Sequence, residues 1–134
     1  MTLVATANLE SCPILVVDDN VDAADSLVSL LAALGYESCA AYGGLDAVKV
    51  SRVRSPKLIF LDIDMPSMDG YETLAEMRRL GLVTGANVVA LTARDSQRER
   101  QLTREAGFGF HVRKPIENDI LCELAEQAAP KPLC

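Results

Sequence analysis

Apolar residues run through this chain in short blocks that alternate with amphipathic stretches, and the alternation predicts the architecture. Residues 14–18, ILVVD, form a continuous apolar run closed by an acid, as in a strand buried on both faces. VDAADSLVSLLAALG follows, with Val21, Ala24, Leu27, Val28, Leu31 and Leu34 at helical spacing. Asn20 is placed to cap that helix, Asp22 and Asp25 suit the positive end of its dipole, and Gly35 is placed to stop it. ESCAAY predicts a second strand, and GLDAVKVSRVRS a short helix with Ala47, Val48 and Val53 inward. KLIFLD is the clearest strand. DGYETLAEMRRLG predicts a helix capped by Asp69, with Leu74 and Met77 on one face. NVVALTA predicts a fourth strand, DSQRERQLTREAG a polar helix ended by Gly107, and FHVRK a short fifth strand. IENDILCELAEQA closes the series with Ile116, Ile120, Leu121 and Leu124.

Five strand–helix units in series predict an α/β fold, because parallel strands need crossovers and the crossovers place helices on both faces of the sheet. Right-handed crossovers leave few topologies. The length of 134 residues suits one domain over 1–134, with a core over about 13–128 and short frayed ends, the last of them APKPLC. Hydrophobic residues make up 49% of the chain and Trp is missing, so the core must be aliphatic. The net charge of −6 argues against a nucleic-acid partner, which needs cations to replace phosphate counterions. The charge is uneven: residues 1–76 carry 12 acids against 4 bases, and residues 94–114 carry 6 bases against 3 acids. Such a stripe can orient a partner by its field or simply solvate a helix face.

Cys12, Cys39, Cys122 and Cys134 form no C-x-x-C pair, and the chain has a single His, so zinc-type spacing is lacking. The cysteines read as reduced thiols of a cytoplasmic protein, with Cys39 and Cys122 in the core. MTLVATANLESCP lacks a basic leader pattern, and no apolar run is long enough to cross a membrane.

Ligands of such sheets bind at the carboxyl ends of the strands. Strand one ends in Asp18–Asp19, strand three in Asp62 with Asp64 beyond, strand four in Thr92–Ala93 and strand five in Lys114–Pro115. Asp18, Asp19 and Asp62 brought together would repel one another unless a cation intervened. An all-oxygen donor set selects a hard ion such as Mg²⁺, which keeps several waters and often carries a phosphate. Lys114 supplies a compact cation for phosphate oxygen, and Thr92 supplies a hydroxyl. No P-loop, G-x-G-x-x-G or Ser-His-Asp arrangement accompanies them, so the remaining nucleophile is a carboxylate, with Asp62 best placed.

Asp-Asp after strand one, D-x-x-M-P-x-M-D-G after strand three, T-A after strand four and K-P after strand five together resemble a response-regulator receiver domain, the CheY-like family of two-component signalling. The resemblance spans roughly residues 13–128 and implies a flavodoxin-like doubly wound (βα)5 sheet of order 2-1-3-4-5. It implies that Asp62 accepts a phosphoryl group from a phosphohistidine on a histidine kinase or histidine phosphotransfer protein. Asp19, Asp62 and the backbone carbonyl of Asp64 would hold Mg²⁺ (Mn²⁺ as the alternative ion), with Asp18 acting through water. Lys114 would pair with the acyl phosphate, Thr92 would move inward to it, and Ala93 would leave the entrance open. Lys114–Pro115 would be the family's cis peptide. Met65, Pro66 and Gly70 would shape the loop.

Three positions depart from the commonest pattern. His111 stands where many members place Tyr or Phe; it would be the switch coupled to Thr92, yet it can titrate near neutral pH. Asp64 stands where several relatives have Asn, and Arg94 faces the same mouth, so the two would pair and tune the attack of water. The leading reading is a phosphorylation-activated receiver with an unknown downstream protein target, not a conventional enzyme. It serves either as a stand-alone regulator or within a hybrid kinase relay. A Mg²⁺-dependent small-molecule phosphatase and an inert adaptor of the same fold are the alternatives. The face around RDSQRERQLTREAG and the last helix is a candidate homodimer surface.

Overall fold

The apolar blocks become strands and the periodic stretches become helices, in strict alternation. The computed structural model describes residues 12–128. In chain order they form β1 (Ile14–Val17), α1 (Val21–Ala33), β2 (Ser38–Ala41), α2 (Gly44–Arg54), β3 (Leu58–Asp62), α3 (Gly70–Arg79), β4 (Asn87–Thr92), α4 (Gln97–Ala106), β5 (Phe110–Arg113) and α5 (Asn118–Ala128). The strands pair in parallel in the order β2-β1-β3-β4-β5, the flavodoxin-like order.

The two-residue period of a strand sorts the core into two layers. Leu15, Val17, Ile59, Leu61, Val88 and Ala90 point to one face, where they meet Ala47 and Val48 of α2 and Leu74 and Met77 of α3. Ile14, Val16, Leu58, Phe60, Val89 and Leu91 point to the other, against Ala24 and Leu31 of α1 and Leu121, Leu124 and Ala125 of α5. All of β1 and β3 is buried, which is why their sequences run apolar instead of alternating.

Helix punctuation follows the local chemistry. Asn20 Oδ1 accepts the Ala23 N–H at 3.1 Å. Asp69 and Glu72 form a reciprocal capping box: Glu72 N–H donates to Asp69 at 2.8 Å and Asp69 N–H to Glu72 at 3.0 Å. Ser96 caps α4, and Gly107 ends it in the left-handed region at φ 101°.

Several inward assignments need correction. Val53 is 60% exposed; Ser51 takes its place, because it lies one turn from Ala47 on the buried stripe. Val21 and Ile120 also face outward, and Ala125 completes the buried stripe of α5. Cys12 is the cysteine in the core, whereas Cys39 and Cys122 are half-buried. Cys12 and Cys39 are free thiols, but Cys122 is disulfide-bonded, against the reduced-thiol expectation. The expected frayed ends lie outside the described residues. Among the described residues no helix is long and apolar enough to cross a membrane.

Gly70 joins this packing to the site. Its N–H donates to Ile63 O at 3.0 Å, and a Cβ there would stand 2.6 Å from Asp62 O and 2.8 Å from Ile63 Cα. Both neighbours are backbone, so neither can swing aside. Gly70→Ala is expected to destabilise the protein by roughly 1–3 kcal/mol in urea unfolding, as overpacking does. Gly43→Ala is the control: its Cβ would meet nothing within 4 Å, and its effect stays within about 0.5 kcal/mol. Equal losses in the two variants would show that the β3–α3 junction has room to spare.

Candidate functional site

A buried sheet edge delivers the polar groups to one rim. Asp18 follows β1, Asp62 is the last residue of β3, Thr92 the last of β4, and Lys114 follows β5. Alternation also decides which face each serves. Val16 and Asp18, Phe60 and Asp62, and Val112 and Lys114 are two apart, and the three apolar members all pack in the α1/α5 layer. Their polar partners therefore converge on that side of the rim.

The convergence is close. Asp18, Asp19 and Asp62 each offer a carboxylate oxygen within 4.8 Å of the others. Asp18 and Asp62 are buried, and Asp19 is exposed. Lys114 Nζ stands 3.2 Å from both Asp18 Oδ2 and Asp62 Oδ1. Backbone amides hold the two buried acids: Asn20 N–H donates to Asp18 Oδ1 at 3.0 Å, and Asp64 N–H to Asp62 Oδ1 at 3.2 Å. The Lys114–Pro115 peptide bond is cis.

Burial pushes the Asp62 carboxyl up to about 6, and the Asp18 charge adds to the rise; Lys114 opposes it without prevailing. For Lys114, burial works to lower the ammonium, but the Asp62 and Asp18 charges outweigh it and hold the group above its ordinary range. The two directions are compatible: Lys114 keeps a third of its side chain in water, whereas Asp62 keeps almost none. Three carboxylates against one ammonium leave the pocket short of positive charge. The donor set is all oxygen, two of the acids are anchored, and the exposed Asp19 leaves an entry path. These residues fit a hard divalent cation such as Mg²⁺.

The remaining residues named from sequence divide into two groups. Asp64 and Arg94 are joined at the mouth, with Arg94 Nη2 2.5 Å from Asp64 Oδ1 and Nη1 3.8 Å from Glu99. Thr92 is buried, and its hydroxyl accepts the Arg94 N–H at 3.0 Å; Ala93 is exposed beside it. In the loop, Met65 is buried, Pro66 is exposed and Ser67 takes a positive φ of 65°. His111 lies away from the acids, under α4, with Nδ1 2.9 Å from Thr103 Oγ1 and Nε2 3.3 Å from Asp95 Oδ1. Sequence reasoning did not mark Asp95, Arg100 or Thr103. No spacing rule links them to His111; they meet it where α4 and the segment before it pack on β5.

Comparison with known proteins agrees with this geometry. The chain matches the response regulator receiver domain family over residues 14–126. It is 36% identical over 108 residues to the sensor histidine kinase RcsC of Salmonella typhimurium, a match covering 81% of this chain and 11% of that protein. The chain thus spans about a tenth of that curated relative's length. The Vibrio cholerae chemotaxis protein CheY4 superposes with a TM-score of 0.79 at 23% identity, over 88% of this chain and 98% of that one, which speaks for the fold. The receiver domain of sensor histidine kinase PA1611 from Pseudomonas aeruginosa superposes with a TM-score of 0.74 at 26% identity, over 88% and 97%. That structure carries a magnesium ion coordinated in its active site cleft. With five parallel strands in the receiver order and an acidic cluster at their carboxyl ends, the chain belongs to the response regulator receiver domains of two-component signalling.

Proposed function

We propose that this receiver accepts a phosphoryl group on Asp62 from a phosphohistidine of a histidine kinase or histidine phosphotransfer protein, and that the modification changes the surface it offers to a downstream protein. One observation carries the reading: Lys114 Nζ stands 3.2 Å from each of two buried carboxylates, one of which ends the central strand. An Asp62 carboxylate oxygen attacks phosphorus, the phosphorus–nitrogen bond breaks, and the imidazole leaves with its electron pair. Lys114 meets the charge on the phosphoryl oxygens, and Thr92 turns its hydroxyl toward them. Asp19, Asp62 and the Asp64 carbonyl would hold Mg²⁺ directly and Asp18 through water; Mn²⁺ is the alternative ion. When bound, the cation neutralises the acids and the incoming phosphate charge.

The core over 13–128 acts as one signalling module of a cytoplasmic relay, and its only chemistry is its own phosphorylation and hydrolysis. The magnesium in the cleft of the PA1611 receiver supports the ion assignment. The kinases RcsC and PA1611 favour a place in a phosphorelay. An apolar groove of about 480 Å³ beside Asp18 and Lys114, lined by Leu27, Leu30 and Ile116, gives a donor protein a surface to rest on. The face around residues 94–107 and α5 is the candidate dimer surface.

Incubation with acetyl phosphate and Mg²⁺ is expected to add one phosphoryl group by mass spectrometry, and Asp62→Ala is expected to abolish it. Phosphorylation persisting in that variant would move the acceptor elsewhere.

The raised Asp62 carboxyl also makes a stability prediction for metal-free protein. Its folded value lies above the ordinary aspartate value, so the protonated form is favoured and the stability it brings is lost as pH rises from about 4 through about 6. In chelator, Asp62→Asn is therefore expected to gain roughly 2–3 kcal/mol over the parent above pH 7 and nothing near pH 4. Mg²⁺ narrows the gap. Thermal melts across that range test it, and a gain independent of pH would point to packing, not charge.

At the mouth, the Asp64–Arg94 pair narrows the path of the hydrolytic water. Asp64→Asn and Arg94→Ala are each expected to shorten the phosphoryl half-life by up to about fivefold, the range of an exposed ion pair. Unchanged half-lives in both would leave the pair without a kinetic role.

A further inference from the structure

Two free thiols meet where the chain enters the sheet. Cys12 precedes β1, and Cys39 is the second residue of β2, the edge strand. The register sets Cys39 beside Leu15, on the face that α2 covers. Cys12 is held at the end of the same helix: its N–H donates at 3.1 Å to the carbonyl of Arg54, the last residue of α2. Helix and strand thus carry the two sulfurs together, and the Cys39 S–H donates to the Cys12 sulfur. Cys12 and the acid pair Asp18–Asp19 stand at opposite ends of β1.

The two sulfurs are not equivalent. Cys12 is 3% exposed, and its own S–H reaches Ile14 O at 3.3 Å; Cys39 is half-buried. The bond from Cys39 holds the Cys12 thiol below its ordinary range, against the effect of burial, and the Arg54 charge adds to the fall. Cys39 is pushed upward by that same bond and then by burial. The thiolate is the reactive form of cysteine, so Cys12 suits attack on an oxidant and Cys39 suits the step that follows. Either residue alone would pass as a small core side chain; the contact between them is what exceeds packing. Among the described residues the remaining cysteine, Cys122, is already disulfide-bonded and does not compete.

We propose that Cys12 and Cys39 are a modification site, a thiol pair that a peroxide oxidises to a disulfide tying the chain entering β1 to the edge strand. With hydrogen peroxide, the Cys12 sulfur attacks one oxygen. A sulfur–oxygen bond forms, the oxygen–oxygen bond breaks, and the departing hydroxide takes the Cys12 proton to become water. Cys12 is then a sulfenic acid. The Cys39 sulfur attacks the Cys12 sulfur, the sulfur–sulfur bond forms, and the sulfur–oxygen bond breaks. Hydroxide leaves with the Cys39 proton as a second water, and two electrons have passed from the thiol pair to the peroxide. A sulfur already in contact outcompetes a thiol from solution. The loop closed from Cys12 to Cys39 contains β1, α1 and the Asp18–Asp19 pair. Nothing in this chemistry requires a phosphoryl group on Asp62.

Peptide mapping of the whole chain after exposure to hydrogen peroxide tests the pair. One equivalent is expected to remove two hydrogens, about 2 Da. Glu37 is the only glutamate between the two cysteines. Once remaining thiols are blocked and the chain is unfolded, cleavage after Glu37 separates Cys12 from Cys39 in sequence. Their peptides are expected to stay joined until a reductant is added. Cys39→Ser is expected to leave Cys12 as a sulfenic acid that a cyclic 1,3-dione captures. Cys12→Ser is expected to slow loss of the remaining thiol by roughly tenfold relative to Cys39→Ser. Separate peptides in the oxidised parent, or Cys39 joined to a different cysteine or to a second chain, would overturn the pair. Equal rates of thiol loss in the two variants would overturn Cys12 as the attacking sulfur. Mapping the parent needs no substitution, so it decides the matter even where a variant misfolds.

Discussion

A parallel sheet buried on both faces has no place for a charge except beyond the ends of its strands. Every other position of β1 and β3 is committed to one of two apolar layers, where an unpaired ion would cost several kcal/mol. Asp18, Asp62 and Lys114 offset part of that cost by pairing at the carboxyl rim, each two residues beyond a side chain packed in the α1/α5 layer. The packing that stabilises the domain therefore also aims the acids. A shift of one strand by a single residue would turn its polar terminus to the opposite face.

The same placement leaves the rim under electrostatic tension. Two buried carboxylates share one lysine, and an exposed third stands beside them. Asp62 is left with a carboxyl that resists ionisation, an unfavourable state for the isolated fold and a favourable one for binding a cation. Perturbed groups of this kind concentrate where function has overridden stability. Gly70 shows the companion cost in backbone terms: α3 begins so close to the end of β3 that no side chain fits between them.

The rim also divides the labour between the two faces. The acids and Lys114 belong to the α1/α5 side, whereas Thr92 and His111 belong to the side covered by α4. The short β4–α4 loop connects them, and it is fastened at Arg94 to Asp64 and at Asp95 to Arg100 and His111.

Sequence by itself determined the series of strands and helices, the parallel class and the four rim stations, because period and punctuation are local properties of the chain. It also named Asp18, Asp19, Asp62, Thr92 and Lys114, since each follows a strand in a recognisable order. It misjudged Val53, Val21 and Ile120, which fit the helical period yet fall outside the buried stripe, because periodicity gives a face but not the angle at which a neighbour covers it. Only the tertiary structure decided that Lys114 stands equally near two acids and that Cys12 is the core cysteine. Only it placed His111 against Asp95 and Thr103. Those contacts join separate elements across the sheet, and their distances follow from register and packing, which no stretch of the chain encodes alone.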